Sequence, residues 1–167
     1  MANSNGGIVG VDNPPIVQPE VITTFNSSGT HTVAPYTAKV DMLIVAGGGG
    51  GGGGVGGGGG AGGMIRVDDY YMPSNAFPIT VGAGGAGVTG TTVGNDGSNS
   101  ANAATAVGGQ AQSGPASSTG GGGGGDRDSQ NSGRNGGSGG GGAGTVPAGI
   151  PGGTATSGQG NNGGNGL

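Results

Sequence analysis

The sequence predicts an all-β protein without helices: a small antiparallel β unit, interleaved with and followed by a polyglycine-II-type bundle. Three observations carry that expectation. Glycine supplies 51 of the 167 residues, against an average usage of about 7%. Short β-branched and aromatic runs are confined almost entirely to residues 21–81. No useful window places apolar residues at the 3.6-residue spacing of a helix.

Residues 1–20 read as an extended arm. Pro14, Pro15 and Pro19 lack an N–H and hold their predecessors extended. With them, Ile8, Val9, Val11, Ile16 and Val17 make an apolar, strand-like peptide suited to a groove on another protein. Ile8, Val9, Val11, Pro14, Pro15, Ile16 and Val17 are therefore the candidate partner-binding residues. The competing reading is a loose tail, the usual state of a terminus.

Strands are expected next. Residues 21–25 (Val-Ile-Thr-Thr-Phe) are β-branched and aromatic, residues 26–29 (Asn-Ser-Ser-Gly) form a turn cluster, and residues 30–33 resume an extended pattern. Residues 40–45 are the most apolar run, which predicts a central strand. Residues 64–67 and 77–81 supply two more, with Pro78 placing the latter's start after it or the strand at an edge. A short strand is expected at residues 104–107. The polar stretches at 95–98 and 126–131 read as turns. The chain thus divides into the arm at 1–20, a β-rich domain with a glycine insertion at 21–110, and a glycine-rich segment at 111–167.

The glycine runs pose an energetic problem. Ordering each Gly costs about 0.5–1 kcal/mol more than ordering Ala, whereas a whole domain is stable by only about 5–15 kcal/mol. Either these runs are flexible linkers, or a shared lattice of backbone hydrogen bonds orders them. Pure glycine directly against the apolar run at 40–45 favours the lattice. Without a strict G-X-Y period collagen is excluded, but three-residue-per-turn segments bonded laterally remain open. Eight such residues span about 25 Å. Isolated runs cannot satisfy their own amides, so a multi-run bundle or an oligomer is required.

The remaining composition narrows function. Four basic residues and a net charge of −4 leave no basic face for nucleic acid. The absence of Cys removes disulfides and thiolate metal sites. The N-terminus has neither the basic nor the apolar region of a signal peptide, and the longest apolar run is too short to span a bilayer. His31 is the single histidine, so no His-based triad or zinc cluster arises within one chain. Asp68 and Asp69 beside Tyr70 and Tyr71 suggest calcium or acid–base chemistry at most, and a solvated loop after a strand otherwise. Asp126-Arg127-Asp128 reads as a self-paired loop tip. Tyr36, Tyr70 and Tyr71 read as residues for core or subunit packing, with stacking on sugars the alternative. Asn26-Ser27-Ser28 is a formal glycosylation sequon, and matches to phosphate-binding glycine motifs carry no weight in poly-Gly. No catalytic residue, cofactor or metal is expected, and the chain reads as non-enzymatic.

The order of segments is informative. Residues 25–33, residues 40–46 opening into glycines, the 79–87 run (Ile-Thr-Val-Gly-Ala-Gly-Gly-Ala-Gly), residues 105–109, 136–142 and 157–164 follow one another with distinctive punctuation. In this order the chain resembles the glycine-rich domain of tail-fibre, neck-fibre and other projecting proteins of tailed phages, over about residues 25–166. The resemblance implies a virion structural protein on the particle's exterior, made in the host cytoplasm, anchored through its arm to a capsid, neck or tail protein. It also implies homotrimeric self-association, in keeping with a subunit whose own core is small. An adhesin recognising a host surface glycan through loops on the bundle is the alternative. An ice-binding glycine protein ranks third.

Overall fold

The computed structural model describes residues 19–35, 39–72, 74–103, 116–144 and 149–167. The arm residues 8–17, Tyr36 and the strand expected at 104–107 lie outside the described residues. Six antiparallel strands and no helix occur among the rest: β1 (Gly29–Thr32), β2 (Lys39–Val45), β3 (Met64–Tyr71), β4 (Ala76–Thr80), β5 (Ser100–Asn102) and β6 (Ala116–Ser118). They form a four-stranded sheet in the order β1-β4-β5-β6 and a two-stranded sheet, β2-β3.

The apolar alternation explains which faces meet. Val40, Met42 and Ile44 of β2, with Ile65 and Val67 of β3, turn towards a core of Val33, Tyr70, Met72, Phe77 and Ala116. Asn102, also buried, points its amide at the sulfurs of Met42 and Met72. Leu43, Val45 and Met64 face outward from the same two strands.

Several expectations need correction. Residues 21–25 form no strand, and Val21 and Ile22 are exposed, because no neighbouring strand pairs with them. β2 is not central; it pairs with β3 alone. Residues 68–71 are not a loop but the end of β3, where Asp68 and Asp69 bulge opposite Asp41. Asp69 takes a φ of 54° there, and the Asp41 carboxylate accepts its amide at 2.9 Å. Pro78 lies within β4, between two neighbours. Its carbonyl accepts from Ala103 just past the end of β5, so the N–H it lacks would face Ala103 and its absence interrupts no bond to β1.

The strands run straight into glycine segments. β2 leads into residues 46–53, which return through 56–63 to β3; β4 leads into 82–88, which return through 92–99 to β5; β6 leads into 119–125. Ala46, Gly49 and Gly52 donate their amides to Gly63, Gly60 and Gly57, while Gly47, Gly50 and Gly53 donate to Ser98, Asn95 and Thr92. The carbonyls of Gly47 and Gly50 accept from Gly121 and Gly124, and those of Gly48 and Gly51 from Gly85 and Val88. Each neighbour is thus met every third residue, and none of these bonds stays within its own segment. That is polyglycine-II packing, with three residues per turn. Residues 95–98, expected as a turn, are one of its straight segments.

Close approach is what glycine supplies here. A methyl group on Gly124 would strike the Gly57 carbonyl and the Gly52 amide, whereas one on Gly164 would meet nothing. Gly124→Ala should therefore destabilise the fold by about 3 kcal/mol, the upper end of overpacking costs. Gly164→Ala should be neutral or stabilise by up to about 1 kcal/mol by restricting the unfolded chain. Urea unfolding of the two variants checks both values.

Candidate functional site

The middle of the bundle is a buried chain without side chains. Residues 120–125 are all glycine and all buried. Their carbonyls accept, in order, from Gly137, Gly97, Gly60, Arg134, Gly94 and Gly57. Their amides donate to Asn99, Gly47, Ser138, Asp96, Gly50 and Gly141. Every backbone group of this segment is satisfied, and five other segments surround it.

Side chains enter where a neighbouring segment is missing. The amides of Gly120 and Gly123 point along one third of the turn, and Oδ1 of Asn99 and Asp96 receives them at 2.8 and 2.9 Å. Three residues apart, these two side-chain oxygens stand where carbonyls of a further segment would be. Arg134 closes the position with a 3.2 Å ion pair to Asp96. Asn162 and Asn165 serve Ala155 and Gly152 in the same way, Asn135 serves Thr154, and Gln159 serves Thr119. The arrangement leaves the bundle interior made almost entirely of hydrogen-bonded backbone.

Turns gather at the end of the bundle away from the strands. Ser129 Oγ donates to the Thr91 carbonyl at 3.0 Å, and Gly53 donates to Thr92. These contacts bring the turns near residues 54–55, 90–92 and 127–130 together. Asp126 anchors the last of them: its buried carboxylate accepts from the Ser129 amide at 2.7 Å and the Asn131 side chain at 2.9 Å. The Ser129 N–H, then the Asn131 amide, hold its carboxyl below the usual carboxylate range. Arg127 pairs with Asp128 at 3.0 Å, as a self-paired tip should.

The other candidate residues do not converge. His31 is half-buried with its ring 5.7 Å from that of Phe25. Asp68 pairs with Arg66 at 2.7 Å and Asp69 with Lys39 at 3.5 Å, all exposed, so each carboxylate takes its own cation. Such pairs contribute about 0–1 kcal/mol. No group of three or more potential metal ligands occurs among the described residues. Tyr70 lies in the core, where burial pushes its phenol up. The residues that matter most, Asp96 and Asn99, were missed from sequence. Their three-residue spacing, each two residues after a glycine (Gly94 and Gly97), was the available signal.

The profile of the glycine-rich domain family matches residues 23–167. The chain belongs to that family. No curated protein and no solved structure matches it.

Two measurements check the geometry. Replacing Asn99 or Asp96 by Ala strands a buried amide, which costs about 1–3 kcal/mol for each and should appear in denaturant unfolding. Because the folded Asp126 carboxyl is lowered, its stabilisation is complete above about pH 4 and lost as pH falls through the folded value. Exchange protection of the Ser129 amide should fall on acidification, and Asp126→Asn should abolish that pH dependence.

Proposed function

We propose that this glycine-rich-domain chain is a non-enzymatic structural subunit of a tailed-phage virion. In this reading the arm at residues 1–20 docks on a capsid, neck or tail protein, and the glycine bundle projects outward as part of a fibre or spike. The supporting observation is the buried 120–125 segment, whose cohesion comes from backbone bonds to five surrounding segments, completed by the Asn99 and Asp96 side chains. A body held in this way is a stiff spacer about 25 Å long, and its surface is free to differ without cost to its centre. Homotrimeric assembly belongs to the same proposal. The apolar core holds few residues, and Leu43, Val45 and Met64 remain 64%, 53% and 54% exposed.

A second reading, an adhesin, draws on one specific observation: the turns at 54–55, 90–92 and 127–130 meet at the end opposite the β unit. A glycan on the host surface is the ligand class such a tip would take.

Purified particles assembled with the full chain, or with a chain lacking residues 1–20, separate these ideas. The full chain should co-purify with virions and expose residues 127–130 to antibody. The shortened chain should be depleted by about tenfold or more. Particles without the full chain would sink the structural proposal. Binding of the isolated protein to host cells, lost when residues 127–130 are replaced by Gly-Ser of equal length, would establish the adhesin instead.

A further inference from the structure

One face of the bundle carries glycines that the chain's own packing does not require. A Cβ at Gly49, Gly57 or Gly124 would strike a backbone carbonyl. At Gly48, Gly51, Gly84 and Gly87 the nearest atoms would lie at 3.5, 3.7, 3.6 and 3.8 Å, which is ordinary contact. At Gly58 nothing lies within 4 Å. None of the five has a left-handed backbone. They sit on segments 46–53, 56–63 and 82–88, which form one outer layer because 46–53 bonds to both of the others. Glycine's entropic cost is therefore borne at these positions without a reason in the packing of the described residues.

The same layer leaves backbone groups unmatched. Along 46–53, two thirds of each turn is occupied by bonds to 56–63 and to 92–98. The amides on the remaining third, those of Gly48 and Gly51, donate to none of the described residues, and neither do those of Gly84 and Gly87. The carbonyls of Gly49 and Gly52 accept from none of them. Donors and acceptors thus recur on one smooth face at the three-residue step that the lattice uses internally. It is an open edge in the sense that an unpaired strand is, and only backbone lacking Cβ atoms can approach it closely enough to bond. This chain supplies such backbone.

We propose that copies of this chain associate side by side through the face formed by segments 46–53, 56–63 and 82–88. The amides of Gly48 and Gly51 donate to one glycine segment of the neighbouring copy, and the carbonyls of Gly49 and Gly52 accept from another. The proposal rests on the self-association put forward above and names its surface.

Sedimentation of the full chain and of the variant Gly48→Ala/Gly51→Ala/Gly87→Ala tests it. The wild type should associate with rising concentration. The triple variant should melt no lower in its dilute monomeric form, yet associate about a hundredfold more weakly. Amide exchange provides a second readout that needs no variant: Gly48 and Gly51 should be protected in the associated form and exchange freely in dilute monomer. A wild type that stays monomeric at every concentration overturns the proposal. So does undiminished association of the triple variant, or free exchange at Gly48 and Gly51 in the associated form. Association lost in Leu43→Asp/Met64→Asp but kept in the alanine variant would move the contact to the β2-β3 face, overturning this surface while leaving self-association intact.

Discussion

The structure depends on one constraint: chain axes must lie close enough for an amide of one segment to reach a carbonyl of the next, every third residue. A Cβ on the facing side would lie inside the neighbour's backbone, as it would at Gly47, Gly50 or Gly123. Most of the glycine content follows from this requirement and not from a need for flexibility. It also locates the other residue types. Ala83 and Ala86, or Asn95, Asp96, Ser98 and Asn99, occupy thirds of the turn that face outward, while Gly82, Gly85, Gly94 and Gly97 face in. Since no segment satisfies its own amides, none is stable without its neighbours, and ordering is expected to be cooperative across the bundle.

A lattice of identical backbone repeats carries little information about register. A glycine run shifted by three residues would meet the same donors and acceptors, much as a strand with two undifferentiated faces slips. The β unit removes this freedom. β2 and β3 pair from Val45↔Met64 outward, which fixes where 46–53 and 56–63 begin against each other. β4, β5 and β6 do the same for 82–88, 92–99 and 119–125. Farther along the chain none of the described strands leads into the glycine runs. There Asn135, Asn162, Asn165 and Gln159 pin the register by receiving particular amides. Thus the small apolar core sets alignment, and the lattice supplies extent.

The same division explains what could be read from sequence. β2, β3 and β4 announced themselves through β-branched and aromatic residues whose inward side chains reach the apolar core, and β1 through Thr30, Thr32 and the adjoining core residue Val33. β5 and β6 gave no such signal: apart from Ala116, their buried positions hold Ser100, Asn102 and Ser118, whose polar side chains give no strand pattern. Residues 21–25 have strand composition but no partner, and composition alone cannot reveal that. Asp68 and Asp69 suggested a loop by propensity, whereas the bulge opposite Asp41 keeps both in the strand. Residues 95–98 were misread because Asn, Asp and Ser favour turns when their side chains bond locally. Here the carboxylate of Asp96 bonds to a distant glycine instead. Lateral glycine packing was foreseeable from the runs themselves. Which segments would be neighbours was not, since glycines carry no mark of their partners.

A centre made of backbone separates stability from surface chemistry in a way that an apolar core does not. In an ordinary domain, outward residues share strands or helices with inward ones, and their changes propagate through packing. In this bundle the inward positions are already reduced to hydrogen atoms, so the outward third of each turn and the turns at 54–55, 90–92 and 127–130 touch little that holds the fold together. The exception is the set of side chains that stand in for absent segments, above all Asp96 and Asn99, which behave as core residues despite their polarity. A projecting body exposed to changing surroundings would benefit from this arrangement, because its exterior can change while the hydrogen-bonded interior stays the same.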